Sequence, residues 1–595
     1  MKGSDYIADF IKQQGVKHVF GISGKSIIHT FDSVPERGLR LYPVCHEQAA
    51  AMAADAYSRV TENIGAIITT SGPGATNALT GILCAYYDSI PLLVITGQVP
   101  KSQMKGCSES RQIGFQETNV VGMFAPASKY ATLVSEPHQL KYELEKAAHI
   151  ARTGRPGPVV LDICENVQSE QYDPSKYAHF IPEHEKKNFS ELEEKVGRAF
   201  DMINKSERPV VILGGGIRLA GAVPTAREFI QKSGLPYTLT WAAFDYLPHD
   251  SPQFTGGFGV TSPRDGNFAV QNSDLIVAIG TRLDSHEVGN DPGTFARGAK
   301  KIVLDIDQSE LDKYAPRGMH VDLPILGDAR DFFDIANKNL ERTLRRKNLD
   351  DWLGHIANWR RRYPICPQEY YKQKDKVNPY IFMNILSEET ANDDVILTDC
   401  GGNLIWTMQG FRPKGRQRVI SAFNHSPMGY SLPASMGATL AADRPVICIT
   451  GDGGLNMNIQ ELGTIKHHNM PVKIFVMDNH GYGIMRGTVS RLLENRPHGV
   501  GPEGGVADPN IRAISEAYDI PTFHIQNHRQ VREMIKATLE HDGPVLCDVE
   551  IESHHPMTPK LAGEKPIEDS SPLLSRDELA ENMKFVPPLM EKVKS

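Results

Sequence analysis

Two oxygen donors stand out by their setting. Asp452 lies in Thr450-Gly451-Asp452-Gly453-Gly454, and Asn479 lies in Asp478-Asn479-His480-Gly481. A carboxylate and an amide oxygen brought to one point suit a hard cation. Mg²⁺ fits that role because it binds through a few protein oxygens and shares phosphate oxygens. Gly453 and Gly454 leave backbone N–H groups open to a diphosphate at a helix N-terminus. The flanking residues supply the means of convergence. Residues 446–449 and 472–477 are apolar, β-rich runs, and a helical pattern with Ile459, Leu462 and Ile465 on one face spans about 456–468. That is a β-α-β unit, and its right-handed crossover sets two strand ends side by side. A Gly-Asp turn that merely caps a helix would explain the first stretch alone, but not an Asn placed just past the next strand.

The amino-terminal region repeats the pattern. An amphipathic helix over residues 4–16 (Ile7, Phe10 and Ile11 on one face) precedes strands at 16–20, 39–44, 65–70 and 91–96. These strands run into Gly21-Ile22-Ser23-Gly24, Cys45-His46-Glu47-Gln48, Ser71-Gly72-Pro73-Gly74-Ala75-Thr76-Asn77 and Gly97-Gln98-Val99-Pro100. Strands ending in Gly, Ser or polar residues describe a doubly wound parallel sheet with its binding edge at the carboxyl ends. Glu47 opens a helix whose next positions are almost all Ala or Met, which places it against an apolar pocket. A first-turn Glu favoured by the helix dipole is the plainer alternative. In the middle of the chain, strands at 209–213, 275–280 and 301–304 meet Gly214-Gly215-Gly216, Thr281-Arg282-Leu283-Asp284 and Asp305-Ile306-Asp307. They form a second doubly wound sheet, although a glycine run after a strand is often only a turn. In the third region the strand 395–398 ends in Asp399-Cys400-Gly401-Gly402-Asn403, and Pro427-Met428-Gly429-Tyr430 follows.

These stretches, with Phe115-Gln116-Glu117-Thr118, resemble in order and spacing the thiamin diphosphate (ThDP) enzymes of the acetolactate synthase-like family, over nearly the whole chain. The resemblance implies an α/β protein of three doubly wound parallel-sheet domains: pyrimidine-binding, central and diphosphate-binding. It implies that Asp452, Asn479 and the backbone carbonyl of Gly481 hold Mg²⁺. It assigns Ser23, Gly24, Thr70, Pro73 and Asn77 to one half of ThDP. Cys400, Gly401, Gly402, Asn403, Gly453, Gly454, Tyr482, Gly483 and Ile484 go to the other half. Met428 becomes the apolar wedge that bends the cofactor, and Glu47 the group that bonds the aminopyrimidine nitrogen and so promotes removal of the C2 proton. Gln116 and Gln98 become candidates for the substrate pocket. FAD is implied for the central domain, with Gly215, Arg282, Asp305 and Asp307 as its candidates.

The implied reaction is decarboxylation of a 2-oxo acid, pyruvate first among them, with ligation of the acyl unit to a second carbonyl. The implied assembly is a homodimer or homotetramer in which the cofactor bridges the first domain of one subunit and the third of another. Two departures bear on the acceptor. Thr488 stands where acetolactate synthases carry a Trp that favours 2-ketobutyrate, and the segment 101–114 is long. Both look closer to surface-sugar carboligases of the yersiniose type, whose acceptor is a keto-sugar nucleotide. Acetolactate synthase proper, a simple 2-oxo acid decarboxylase, a ThDP oxidase and an acyl-CoA lyase share the fold and stay open.

The totals agree with a multidomain enzyme. At 595 residues the chain exceeds one core. The expected divisions are 1–165, 190–345 and 376–555, with a Pro-rich tail over 556–595 as a lid. A net charge of −8 without a basic block argues against nucleic acid and anionic membrane as partners. No secretion signal or long apolar run is apparent, and eight cysteines without a CxxC pair read as reduced thiols of a cytoplasmic protein.

Overall fold

The computed structural model describes residues 1–183, 188–345 and 348–589. The first sheet holds β1 (His18–Gly21), β2 (Arg40–Pro43), β3 (Gly65–Thr69), β4 (Leu92–Gln98), β5 (Tyr130–Val134) and β6 (Val159–Cys164), in the order β2-β1-β3-β4-β6-β5. The second holds β7 (Pro209–Leu213), β8 (Tyr237–Leu239), β9 (Leu275–Ile279), β10 (Lys300–Asp305) and β11 (Leu323–Leu326), in the order β11-β10-β9-β7-β8. The third holds β12 (Val395–Thr398), β13 (Arg418–Ile420), β14 (Val446–Gly451), β15 (Val472–Asp478), β16 (Thr522–Ile525) and β17 (Val545–Glu550), in the order β13-β12-β14-β15-β17-β16. Neighbouring strands within these sheets run parallel. The expected class, three parallel α/β domains, is what the chain adopts. Central strands such as β4 are buried along their length, because helices cover both faces of a parallel sheet.

The first and third sheets share one topology. In each, the first strand has its successor on one side and its third strand on the other. The connections therefore diverge between β1 and β3, between β12 and β14, and in the central sheet between β7 and β9. Crevices at such divergence points are where open α/β sheets bind ligands. All three are lined by the Gly-rich stretches singled out above.

The first and third domains pack through two helices, Glu47–Thr61 and Ser431–Ala442. Ala49, Ala50, Ala53, Ala54, Ala434 and Ala438 are fully buried there. Gly437 comes so close that a Cβ would stand 1.8 Å from the Ala53 carbonyl oxygen. One continuous core runs from Phe20 and Ile67 through these helices to Cys448 and Ile474.

One expectation needs correction. The single helix over 456–468 is two helices, Asp452–Met457 and Glu461–His467. The break falls at buried Asn458, whose amide is drawn to the Gly429 carbonyl (2.7 Å) and whose Oδ1 accepts from Gln48 (3.4 Å). The tail expected as a lid lies along the central domain as a strap. It forms the hairpin β18 (Lys560–Leu561) and β19 (Ser570–Ser571), and Asn267 and Asn272 donate to Ile567 and Asn582 carbonyls at 2.9 Å each. Ile567, Leu579 and Met583 are buried, so apolar burial against that domain seats the tail. All eight cysteines are free thiols. Among the described residues no helix is long and apolar enough to cross a membrane.

Candidate cofactor and active site

At the β12–β14 crevice a buried carboxylate ties three loops together. Asp399 accepts from the Cys400 N–H (2.8 Å), the Gly429 N–H (3.1 Å), the Thr450 hydroxyl (3.1 Å) and the Ser431 hydroxyl (3.3 Å). These bonds fix Cys400–Asn403, Met428 and the Asp452 turn relative to one another. Gly401 adopts φ 76°, a left-handed conformation that suits only glycine at no steric cost. Gly402 packs so tightly on the Trp406 ring that a Cβ would lie 2.7 Å from it. Burial, then the Asp399 charge, push the Cys400 thiol up, so it stays protonated.

Register sets the two oxygen donors side by side, with Gly451 of β14 opposite Met477 of β15. The Gly481 N–H donates to Asp452 Oδ2 at 2.6 Å. Burial, and next the neighbouring Asp478 charge, push the Asp452 carboxyl to about 7. Asn479 Oδ1 and Asn403 Oδ1 are buried without a hydrogen-bond partner. Buried acceptors left unpaired are costly and call for an explanation. A divalent cation between Asp452 and Asn479, beside a diphosphate, would relieve both the raised carboxyl and the orphaned oxygens, so the donors present fit Mg²⁺ and a diphosphate. The rest of the cradle agrees. A Cβ on Gly453 would strike the Tyr482 ring (2.6 Å) and lie 3.2 Å from Met428 Cε. Gly481 (φ 138°) faces the Val500 carbonyl, Gly483 faces the Asn479 amide, and Gly401 faces Ile484.

The β1–β3 crevice gathers the other group. Glu47, 7% exposed, accepts from Asn77 Nδ2 through Oε2 at 3.0 Å. Its Oε1 lies 3.5 Å from where a Gly74 Cβ would be, and Gly24 and Gly74 both close onto Thr70. The Thr70 hydroxyl is buried and unpartnered, while Ser23 and Pro73 stand at the exposed rim. Gln116 takes φ 64° and packs its Cβ against Gly72. Its loop is pinned by Glu117, which accepts from the Lys105 (2.6 Å), Ile113 (3.0 Å) and Gly114 (3.2 Å) N–H groups.

Gln98 does not join the pocket expected of it. It is 1% exposed, and its amide donates to the Thr118 carbonyl and to Asp162, each at 2.8 Å. It accepts from the Val99 N–H through Oε1 at 3.0 Å. Its amide N–H groups thereby tie Thr118, beside Gln116, to Asp162 of β6. Among the described residues no hydrogen bond or ion pair joins the Glu47 group directly to the Asp452 group, and the nearest link is Gln48 to Asn458.

The β7–β9 crevice opens into a cavity of about 1540 Å³ that reaches from Gly215, Arg282 and Asp305 to Gly401 and Ile484. Gly216 donates to the Gly280 carbonyl at 2.9 Å, which holds the two glycine turns edge to edge. Burial pushes Asp305 to about 6 and Glu287 to about 8. Asp307 turns elsewhere: it caps the helix Gln308–Asp312 through the Ser309 N–H and pairs with Arg155 at 3.3 Å. Arg155 itself lines the cavity, whereas Asp307 does not.

Sequence reasoning missed Asp399 as the residue that joins the loops. It also missed the cluster of Asp478, His480 and Asp508, whose ligand atoms lie within 4.8 Å of one another. A carboxylate at the strand end was the available signal for Asp399 and Asp478; Asp508, in a loop, offered none.

The chain matches the thiamine pyrophosphate enzyme family in three segments. These are the N-terminal TPP binding domain over residues 1–123, the central domain over 196–335 and the C-terminal TPP binding domain over 399–549. It is 33% identical over 564 residues to the acetolactate synthase isozyme 2 large subunit of Escherichia coli (strain K12), covering 94% of this chain and 98% of that protein. It is 31% identical over 567 residues to the acetolactate synthase large subunit of Lactococcus lactis subsp. lactis (strain IL1403), covering 94% of each. With the probable acetolactate synthase large subunit of Methanococcus aeolicus it shares 30% over 576 residues, covering 93% and 92%.

Proposed function

Because the chain belongs to the ThDP-dependent acetolactate synthase-like family, as a ThDP-dependent enzyme of 2-oxo acid decarboxylation and carboligation, we propose that its donor is pyruvate and its acceptor a bulky carbonyl compound, a keto-sugar nucleotide among them. Bound ThDP supplies a nucleophilic carbon and an electron sink for the carboxylate's departure. The protein's own residues do the rest. Asp452, Asn479 and the Gly481 carbonyl would hold Mg²⁺, with Asn403 and the glycine turns around the diphosphate. Glu47 Oε1, left free by the Asn77 bond to Oε2, would bond the pyrimidine nitrogen and hold its proton. Met428 would be the apolar wedge against the cofactor.

The observation that carries this reading is the orphaned Asn479 oxygen beside a carboxyl pushed to about 7. The separation of the two groups supports a site completed by a second copy of the chain, in a homodimer or homotetramer, with Glu47 of one copy facing Asp452 of the other. The β7–β9 cavity, with glycine backbone at the crevice and Arg282 and Asp305 at its rim, suits FAD. The acceptor proposal rests on the long segment 101–114 and on Thr488, a small residue that bonds back to the Ile484 carbonyl (3.3 Å).

A second reading is acetolactate synthase proper, with a 2-oxo acid as acceptor, and the names of the relatives favour it. The two separate in one assay. Holoenzyme is given pyruvate with 2-ketobutyrate, with no added acceptor, or with a keto-sugar nucleotide, and the products are weighed by mass spectrometry. An acetyl adduct of the sugar supports the first reading. Efficient ligation to 2-ketobutyrate with none to the sugar replaces it with the second.

A further inference from the structure

A second cleft, of about 320 Å³, lies where the three domains meet and shares only Glu62, Arg218 and Arg418 with the large cavity. Its remaining wall includes Arg227, Arg416 and the start of the helix Val223–Ser233. Four guanidinium groups therefore face one small space. Two of them are compensated. Arg218 pairs with Asp245 (2.6 Å) and Glu62 (3.2 Å), and Arg418 pairs with Asp245 (3.3 Å) and Glu62 (3.5 Å).

Among the described residues the other two make no ion pair, although Asp245 acts on Arg227 and Asp393 on Arg416 at longer range. Arg227 spends its hydrogen bonds on the Tyr246 and Gly415 carbonyls, each at 2.5 Å. Arg416 is exposed at the rim. The helix that opens on the cleft begins after Ala222, which offers no side-chain cap, and Pro224 occupies its first turn. Its free N–H groups and dipole add to the positive potential.

We propose that this cleft binds a phosphate dianion, either inorganic phosphate or the head group of a small phosphate monoester, bridging the three domains. Guanidinium forks match the geometry of phosphate oxygens, and four arginines against the single lining carboxylate of Glu62 leave the cleft positive. The cleft is too small for a dinucleotide and adjoins the large cavity only at Glu62, Arg218 and Arg418. An anion there would join Arg227 of the central domain to Arg416 and Arg418 of the third. Arg418 also donates to the Arg59 carbonyl (2.8 Å) of the first domain.

The test uses full-length protein saturated with ThDP and Mg²⁺, so that the diphosphate cradle is filled, at constant ionic strength. Calorimetric titration with inorganic phosphate and, separately, with glucose 6-phosphate measures affinity for wild type, Arg416→Gln and Arg227→Gln. Saturable binding of either probe that weakens about tenfold or more in both variants, as the loss of a charge-assisted hydrogen bond predicts, supports the proposal, and the tighter probe identifies the source. Arg416 is an exposed side chain with no fold-holding bond, so that variant keeps its fold and its basal activity. No saturable binding of either probe, or binding unchanged in Arg416→Gln, overturns it.

Discussion

Burial acts on the carboxyls of this chain in ways that can be measured one at a time. Asp162, 2% exposed, is pushed to about 7 by burial despite hydrogen bonds from Thr96 and Gln98. The folded chain keeps a proton that the unfolded chain releases near 3.8, so this group's contribution to stability falls as pH rises from about 4 to about 7. Asp162→Asn carries no such proton. Its stability relative to wild type, measured by urea unfolding, is expected to rise steadily across that window and then level off; a difference flat with pH would refute the buried, protonated state. At the metal loop, Asp452→Ala is expected to weaken Mg²⁺ binding by at least the roughly 10–100-fold that even outer-sphere changes cost, read by calorimetry in the presence of ThDP. Glu47→Gln should leave that binding nearly intact. At this scale Asp452 and Asn479 stood out as candidates by residue type and strand-end position, whereas Glu47, locally an ordinary first-turn Glu, stood out only through the family resemblance. The role of Gln98 was not legible, since nothing local distinguishes a glutamine lining a pocket from one whose whole amide is spent on a carboxylate and a carbonyl distant in sequence.

Packing between elements explains why the two crevices hold their places. The Glu47–Thr61 helix can lie against Ser431–Ala442 only because Gly437 has no side chain, a Cβ there standing 1.8 Å from the Ala53 carbonyl oxygen. Gly437→Val is expected to cost at least the roughly 1–3 kcal/mol of an overpacked core and to lower the thermal midpoint. A variant as stable as wild type would show that the helices do not meet so closely. Strands such as β3, β7 and β15 were legible because buried parallel strands read as unbroken apolar runs. The edge strands β5 and β16 went unseen, since half-exposed runs such as Tyr130–Val134 mix polar and apolar residues like any loop, and so did the buried β6 and β17, each of which carries an Asp within its apolar run. The helix break at Asn458 was invisible for another reason: it is enforced by Gly429 and Gln48, from other parts of the chain.

Three parallel sheets, each with a crevice where its connections diverge, give this molecule three places to hold a ligand. The two that the proposed reaction needs carry complementary halves of one site. If those halves meet only across a subunit boundary, two inactive variants should rescue each other. Glu47→Gln damages one half and Asn479→Ala the other, so a mixed dimer holds one site built wholly from undamaged halves. Co-expressed variants are then expected to recover about a quarter of wild-type activity, from random pairing in a twofold assembly. No recovery would mean that each chain builds its site alone.

The most direct test of the whole account is CO₂ release from pyruvate by purified wild type and Glu47→Gln, each with and without ThDP and Mg²⁺. The account predicts release by wild type only when both are supplied, and its near abolition in Glu47→Gln although the cofactor still binds. Release that persists without ThDP, or that survives in Glu47→Gln, would contradict it.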